Sequence, residues 1–265
     1  MPVLNGQGES SETPIKQKNF AGFLTIQMTA AKSVMRNPTI RWIDKSYYRY
    51  FDIYSGRGTW GDNEKGSPLI FLDAIEKHDI PYRAAFIDKE PQNIERLQDI
   101  VPSYHKRYCQ FLVGDNKMVM RPWLRVVKEK PKMGLIYADP TGTLNWDLLI
   151  WLGRLKSFER TDFLIYLGAN RGLKLHRRRW PERHNMLSEY IKAIEKSTVL
   201  VREPQTKYEW IFLYLTKWAK APEWKAKGWY RSDTSQGREC LYRANFTKNE
   251  RRKFGPDGQL GLFDI

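Results

Sequence analysis

The sequence predicts a doubly wound α/β fold. Strand-like and helix-like segments alternate from Tyr48 to Thr216, the strands end in glycine- or aspartate-bearing turns, and the last two strands are joined too tightly to lie parallel. Hydrophobic residues make up 41% and aromatics 14% of the 265 residues, enough to bury a substantial core and far from the composition of a disordered chain.

The elements follow in order. Residues 1–18 are polar, with Gly6, Gly8 and Pro14, and read as a flexible tail. The spacing Phe23, Ile26, Met28, Ala31, Val34 predicts a lead-in helix over 20–35 that stops at Asn37-Pro38. Strands are expected at 48–54, 82–88, 108–113, 133–139 and 162–167, and helices at 67–77, 91–100, 146–156 and 181–196. Pro91 suits the first turn of its helix, where no amide partner is needed. The segments 198–202 and 208–216 are separated by Glu203-Pro204-Gln205-Thr206, so they form an antiparallel pair. One α/β domain is expected over 19–216. A basic, aromatic extension without periodicity follows over 217–254, whose rings either suit a nucleic-acid face or pack under the sheet, and the last flexible stretch is 255–265.

Composition narrows the partners. Lys and Arg number 45 against 30 Asp and Glu, a net charge of +15, which favours a polyanion such as nucleic acid. The two cysteines, Cys109 and Cys240, lie far apart and exclude a disulfide framework or a four-cysteine zinc site; the four histidines show no metal-ligand spacing. The longest apolar run, Trp210 to Leu215, is shorter than the ~20 residues of a membrane span, and no secretion core opens the chain. The expectation is a cytoplasmic protein with no membrane partner and no metal.

The first strand runs into Asp52-Ile53-Tyr54-Ser55-Gly56-Arg57-Gly58-Thr59-Trp60-Gly61. Gly56, Gly58 and Gly61 satisfy G-x-G-x-x-G, yet residues 62–66 separate the last glycine from the helix, and an acidic residue precedes the loop. A carboxylate there repels a pyrophosphate but accepts from an ammonium group. That favours S-adenosylmethionine, whose amino-acid end is zwitterionic. Later strands end at Asp88, Asp115 and Asp139, where an open α/β sheet binds its ligand. Taken singly, each aspartate could equally be a turn or helix-cap residue.

With these motifs, Phe86-Ile87-Asp88, Gly114-Asp115 and Ile136-Tyr137-Ala138-Asp139-Pro140, the chain resembles the S-adenosylmethionine-dependent methyltransferases with a seven-stranded Rossmann-like sheet, over about residues 48–216. Gly66-Ser67-Pro68-Leu69 and Asp139-Pro140-Thr141-Gly142 look most like the three-Cys-motif partner proteins. The resemblance implies a cofactor pocket at Asp52, Gly56, Gly58, Asp88 and Asp115, with Asp139 and Pro140 as catalytic residues. Amino-methyltransferases of this type follow Asp/Asn-Pro with a second proline and a stacking aromatic; here Thr141-Gly142 stand instead, and Trp60, Trp146 or Tyr137 could supply the ring. No cysteine follows a proline at this place, which argues against cytosine C5 chemistry.

Two further segments point to partners. Arg171, Lys174, Arg177, Arg178 and Arg179 form a basic cluster beyond the strand at 162–167, suited to phosphate contacts. The C-terminal Gln259-Leu260-Gly261-Leu262-Phe263 resembles the peptide by which bacterial and phage proteins dock on the DNA sliding clamp; Gln259, Leu260, Leu262 and Phe263 would carry it. The sequence therefore suggests a bacterial or phage DNA methyltransferase acting at an amino nitrogen such as adenine N6. A non-catalytic DNA- or clamp-binding protein on the same scaffold, and an RNA methyltransferase, are the alternatives.

Overall fold

A computed structural model of the chain describes residues 13–61, 63–120, 131–168, 186–204, 210–219, 221–246 and 251. Its contacts divide the chain into two compact units, 1–141 with 156–161, and 142–155 with 162–265, a division that falls within the stretch read as one domain.

The first unit opens with α1 (Thr13–Arg36), which begins inside the segment expected to be a flexible tail. Its buried positions, Phe20, Phe23, Leu24, Gln27, Met28 and Ala31, repeat every three or four residues and make one stripe. Pro38 disfavours a helical Asn37 and ends the helix. Then come β1 (Asp44–Asp52), the small hairpin of β2 (Thr59–Trp60) and β3 (Glu64–Lys65), α2 (Ser67–His78), β4 (Tyr82–Asp88) and α3 (Pro91–Ile100). The unit continues with α4 (Ser103–Lys106), β5 (Cys109–Val113), α5 (Asn116–Met120) and β6 (Lys132–Ala138). Proline stands in the first turn of both α2 and α3, as its fixed φ favours.

Four strands of this unit pair in parallel in the order β6, β1, β4, β5. In chain order that is 4-1-2-3, the arrangement of a Rossmann-like sheet, so the mixed α/β class expected from the sequence is the observed one. Register fixes which side chains share a face. Asp52 lies level with Phe86 on one side and Tyr137 on the other, and strand alternation puts Tyr48 and Tyr50 on the face of Asp52. Helices cover that face. Tyr50 stacks on Phe71 of α2 with ring centroids 3.8 Å apart, and Phe20 of α1 stacks on Tyr137 at 4.3 Å. Burying an aromatic such as Phe20 contributes ~1.5–3 kcal/mol. On the opposite face Phe51 packs against Phe158.

The second unit holds α6 (Trp146–Arg154), β7 (Thr161–Leu167), α7 (Met186–Ala193), β8 (Thr198–Arg202), β9 (Ile211–Thr216), β10 (Trp229–Arg231) and α8 (Ser235–Asn245). The expected antiparallel pair is present as β8 with β9, and β9 also pairs antiparallel with β7. The structure adds β10, antiparallel to β8, and α8, where the sequence suggested no regular element after residue 220. Thr234 caps α8 by accepting from the Gly237 amide, and a side chain at Gly237 would collide with the Arg231 carbonyl. Apolar periodicity is hidden there because α8 buries only Gly237, Cys240, Ala244 and Asn245. Of the aromatic residues read there, Trp229 is buried and Trp224 stacks on Tyr214, while Trp218 is exposed. No described helix is long and apolar enough to cross a membrane.

Candidate functional site

The carboxyl ends of β1, β4, β5 and β6 bring the sequence-predicted residues of the first unit together, each in a different setting. Asp52 closes β1 and is fully buried. Its Oδ1 accepts from the Tyr54 amide at 3.3 Å, its Oδ2 from the Tyr50 hydroxyl at 3.3 Å, and the Ser67 hydroxyl donates to it as well. Burial pushes its pKa up to about 7, against the pull of those donors and aided by the nearby charge of Asp139. Asp52 thus binds the start of the loop and the first residue of α2 from beneath.

The loop itself is sewn to its neighbours. The Ser55 amide donates to the Ile87 carbonyl at 2.9 Å, the Gly56 amide to Asp88 Oδ2 at 3.0 Å, and the Gly66 amide to the Gly58 carbonyl at 2.8 Å. Gly56 and Gly58 both take left-handed backbone, with φ of 58° and 79°. Their surroundings differ. A Cβ on Gly58 would collide with Leu97 of α3, whereas nothing lies within 4 Å of the Cβ position on Gly56. Gly58 therefore serves close packing, and Gly56 lines an open cradle. Beside it the buried Ser55 hydroxyl has no hydrogen-bond partner among the described residues.

Asp88 is half-buried and shared. Besides the Gly56 amide on Oδ2, its Oδ1 accepts from the Glu90 amide at 2.9 Å and the Asn93 side chain at 3.0 Å. Asp115 is exposed and accepts from the Lys117 and Met118 amides, so it also serves as the N-cap of α5. Both carboxylates do structural work in turns and caps, and Asp88 lies next to the cradle. An open glycine, an orphaned buried hydroxyl and a half-buried carboxylate fit a zwitterionic ligand carrying a ribose better than they fit a pyrophosphate.

At the end of β6, Asp139 is flanked by Pro140. Asp139 Oδ2 accepts from Lys16 Nζ at 2.7 Å and from the Tyr137 hydroxyl at 3.1 Å; Oδ1 takes no bond from a described residue. The two side chains of the ion pair are 13% and 12% exposed, so it is shielded from water. Of the rings considered for stacking, Tyr137 lies beside Asp139. Trp60 instead donates to the Lys65 carbonyl within its hairpin, and Trp146 stacks on Tyr190 in the other unit.

Sequence reasoning missed Lys16, Phe20 and Ser67. Lys16 sat in the supposed tail; its i, i+4 relation to Phe20 on one helix face was the available signal. The thiols of Cys109 and Cys240 are both pushed up to about 11 by burial, which disfavours nucleophilic thiolates. The cluster Arg171, Lys174, Arg177, Arg178 and Arg179, and the peptide with Gln259, Leu260, Leu262 and Phe263, lie outside the described residues.

No family model matches the chain, and no curated protein matches it. Among solved structures it is similar to Aeropyrum pernix fibrillarin in complex with natively bound S-adenosyl-L-methionine, at 12% identity and a TM-score of 0.43, over 71% of this chain and 74% of that one. It is also similar to the citrinin polyketide synthase CMeT domain, at 14% identity and a TM-score of 0.47, over 82% and 59% of the respective chains. A third is a TehB-like SAM-dependent methyltransferase from Corynebacterium glutamicum, at 14% identity and a TM-score of 0.36, over 77% and 98%. At such identities and TM-scores the fold rests on this chain's own strand order and the chemistry on its own residues.

Proposed function

We propose that this chain is an S-adenosylmethionine-dependent methyltransferase acting on an amino nitrogen of nucleic acid, with adenine N6 of DNA as its target. The observation that carries the reading is Asp139. It stands at the carboxyl end of the fourth parallel strand, with Oδ2 bonded and Oδ1 taking no bond from a described residue, on the rim that also holds the glycine cradle and Asp88. When bound, the cofactor supplies an electrophilic methyl group on a sulfonium. Gly56 and the Ser55 hydroxyl are the groups to hold its amino-acid end, Asp88 the ribose and Asp115 the adenine edge; Asp52 fixes the loop that forms the cradle, and Gly58 packs that loop on α3. Asp139 accepts from the target amine, orients its lone pair and takes its proton, while Pro140 leaves the preceding backbone extended.

The finer assignments rest on sequence. The net charge of +15 and the cluster at Arg171, Lys174 and Arg177 to Arg179 suit a phosphate backbone. Gln259, Leu260, Leu262 and Phe263 would recruit the enzyme to the bacterial sliding clamp, which favours DNA over RNA. Calorimetric titration of S-adenosylmethionine tests the pocket: the wild type is expected to bind, and Asp88→Ala to lose at least tenfold in affinity. Methyl transfer from labelled cofactor to adenine-containing DNA tests the acceptor, and its absence from DNA and RNA alike would remove the catalytic claim.

A second reading is a non-catalytic nucleic-acid- or clamp-binding protein on this scaffold. Thr141-Gly142 favours it, since they replace the second proline and the aromatic residue that amino-methyltransferases carry.

A further inference from the structure

The face of α1 that meets β6 presents two side chains one turn apart. Lys16 places an ammonium 2.7 Å from Asp139 Oδ2, and Phe20 lays a planar ring on Tyr137 at 4.3 Å with 23° between the planes. An amino group on the carboxylate and a flat ring on the neighbouring aromatic are the two contacts that an adenine would need at this site. Phe20 and Tyr137 are fully buried, and the Lys16–Asp139 pair is nearly so.

We infer that α1 carries an intramolecular copy of the acceptor base, with the Lys16 ammonium holding the place of the exocyclic amine and Phe20 the place of the ring. The inference rests on the reading of Asp139 as the residue that receives the target amine. It makes the first turns of α1 a plug: a base enters only when Lys16 leaves Asp139 and Phe20 leaves Tyr137, so the ion pair, as part of what holds the plug, weakens acceptor binding. Its sign distinguishes it from simple electrostatics. Removing a lysine from a basic protein ordinarily weakens binding to a polyanion, because one phosphate is no longer neutralised. Here, removing Lys16 strengthens binding, and only to bases that bear the amine.

The test uses the full chain, as wild type, Lys16→Ala and Lys16→Arg. The probes are two fluorescent single-stranded DNA 12-mers that differ at one central base, adenine or unsubstituted purine, titrated by anisotropy at one fixed salt concentration. Lys16→Ala is expected to bind the adenine strand at least fivefold tighter than wild type and to change less than twofold on the purine strand, while Lys16→Arg stays near wild type. Equal or weaker binding of adenine by Lys16→Ala overturns the inference, as does an equal gain on both strands or no binding by any of the three proteins. Cofactor affinity measured on the same samples separates the claims: retained affinity with no adenine-specific gain sinks the plug alone, and absent affinity in the wild type sinks the methyltransferase reading beneath it.

Discussion

Asp52 is the residue at which sequence and structure differ most instructively. From sequence it is a strand-end carboxylate facing a ligand; in the fold it is enclosed, bonded to Tyr50, Tyr54 and Ser67, and its pKa rises from 3.8 to about 7, first through loss of solvent. A raised folded-state pKa means that the protonated form is favoured by folding. The resulting stabilisation is complete below pH 3.8 and is lost as pH climbs through about 7. Asp52→Asn removes the titration. Urea denaturation should therefore show the wild type losing a few kcal/mol between pH 4 and pH 8 that the variant keeps, since a tenfold change in a proton-binding constant is worth about 1.4 kcal/mol. Parallel profiles for the two proteins would mean that Asp52 remains hydrated. The strand, the glycine loop and the aspartates at 88, 115 and 139 were legible because each has a local pattern. The enclosure of Asp52 was not, since it depends on Ser67 of α2 and on Tyr137 of β6, which only packing and register bring beside it.

Among the elements, the loop from Ser55 to Gly66 separates two jobs that G-x-G-x-x-G conflates. Gly58→Val combines a φ of 79° with a collision against Leu97, so it should cost several kcal/mol in thermal or urea unfolding. Gly56→Ala meets only the backbone cost of about 1–2 kcal/mol at a φ of 58°, because nothing fills the space above it; its larger effect should be on cofactor affinity, read by calorimetry. If Gly56→Ala binds the cofactor as wild type does, the cradle lies elsewhere. The helix α1 was predicted from its apolar stripe, but its first two turns were lost to the polar composition of residues 13–18. A tertiary ion pair between residues 123 positions apart leaves no trace in local periodicity. The same holds for β10 and α8, whose buried positions include small and polar residues.

For the molecule as a whole, charge is the property most directly read from sequence. Changing Arg177, Arg178 and Arg179 together to Ala should flatten the salt dependence of DNA binding, by up to about 0.9 log units per log salt for each phosphate that is no longer neutralised. An unchanged slope would make that segment a solvated surface. Leu262→Ala with Phe263→Ala should abolish co-elution with a purified bacterial clamp and leave cofactor affinity untouched; persistence of the complex would count against the docking peptide. The mixed α/β class followed from alternation, and the antiparallel β8 and β9 from a connection too short for a crossover; the order 4-1-2-3 came only with the structure. The aromatic residues after 217 were harder, because a ring beside a lysine reads alike whether it stacks on a base or packs under a strand, as Trp224 and Trp229 do.

The pairing of α1 with β6 also has a consequence in time. During synthesis the stripe of Phe20, Phe23, Leu24 and Met28 leaves the ribosome long before Tyr137 and Asp139 exist. With Lys16 and Asp139 separated by 123 residues, translation at roughly 5–20 residues per second leaves that stripe uncovered on one side for ~6–25 s. Within its unit α1 is thus among the last elements to find its full set of neighbours, and a holdase that shields apolar segments would find this stripe uncovered for that interval.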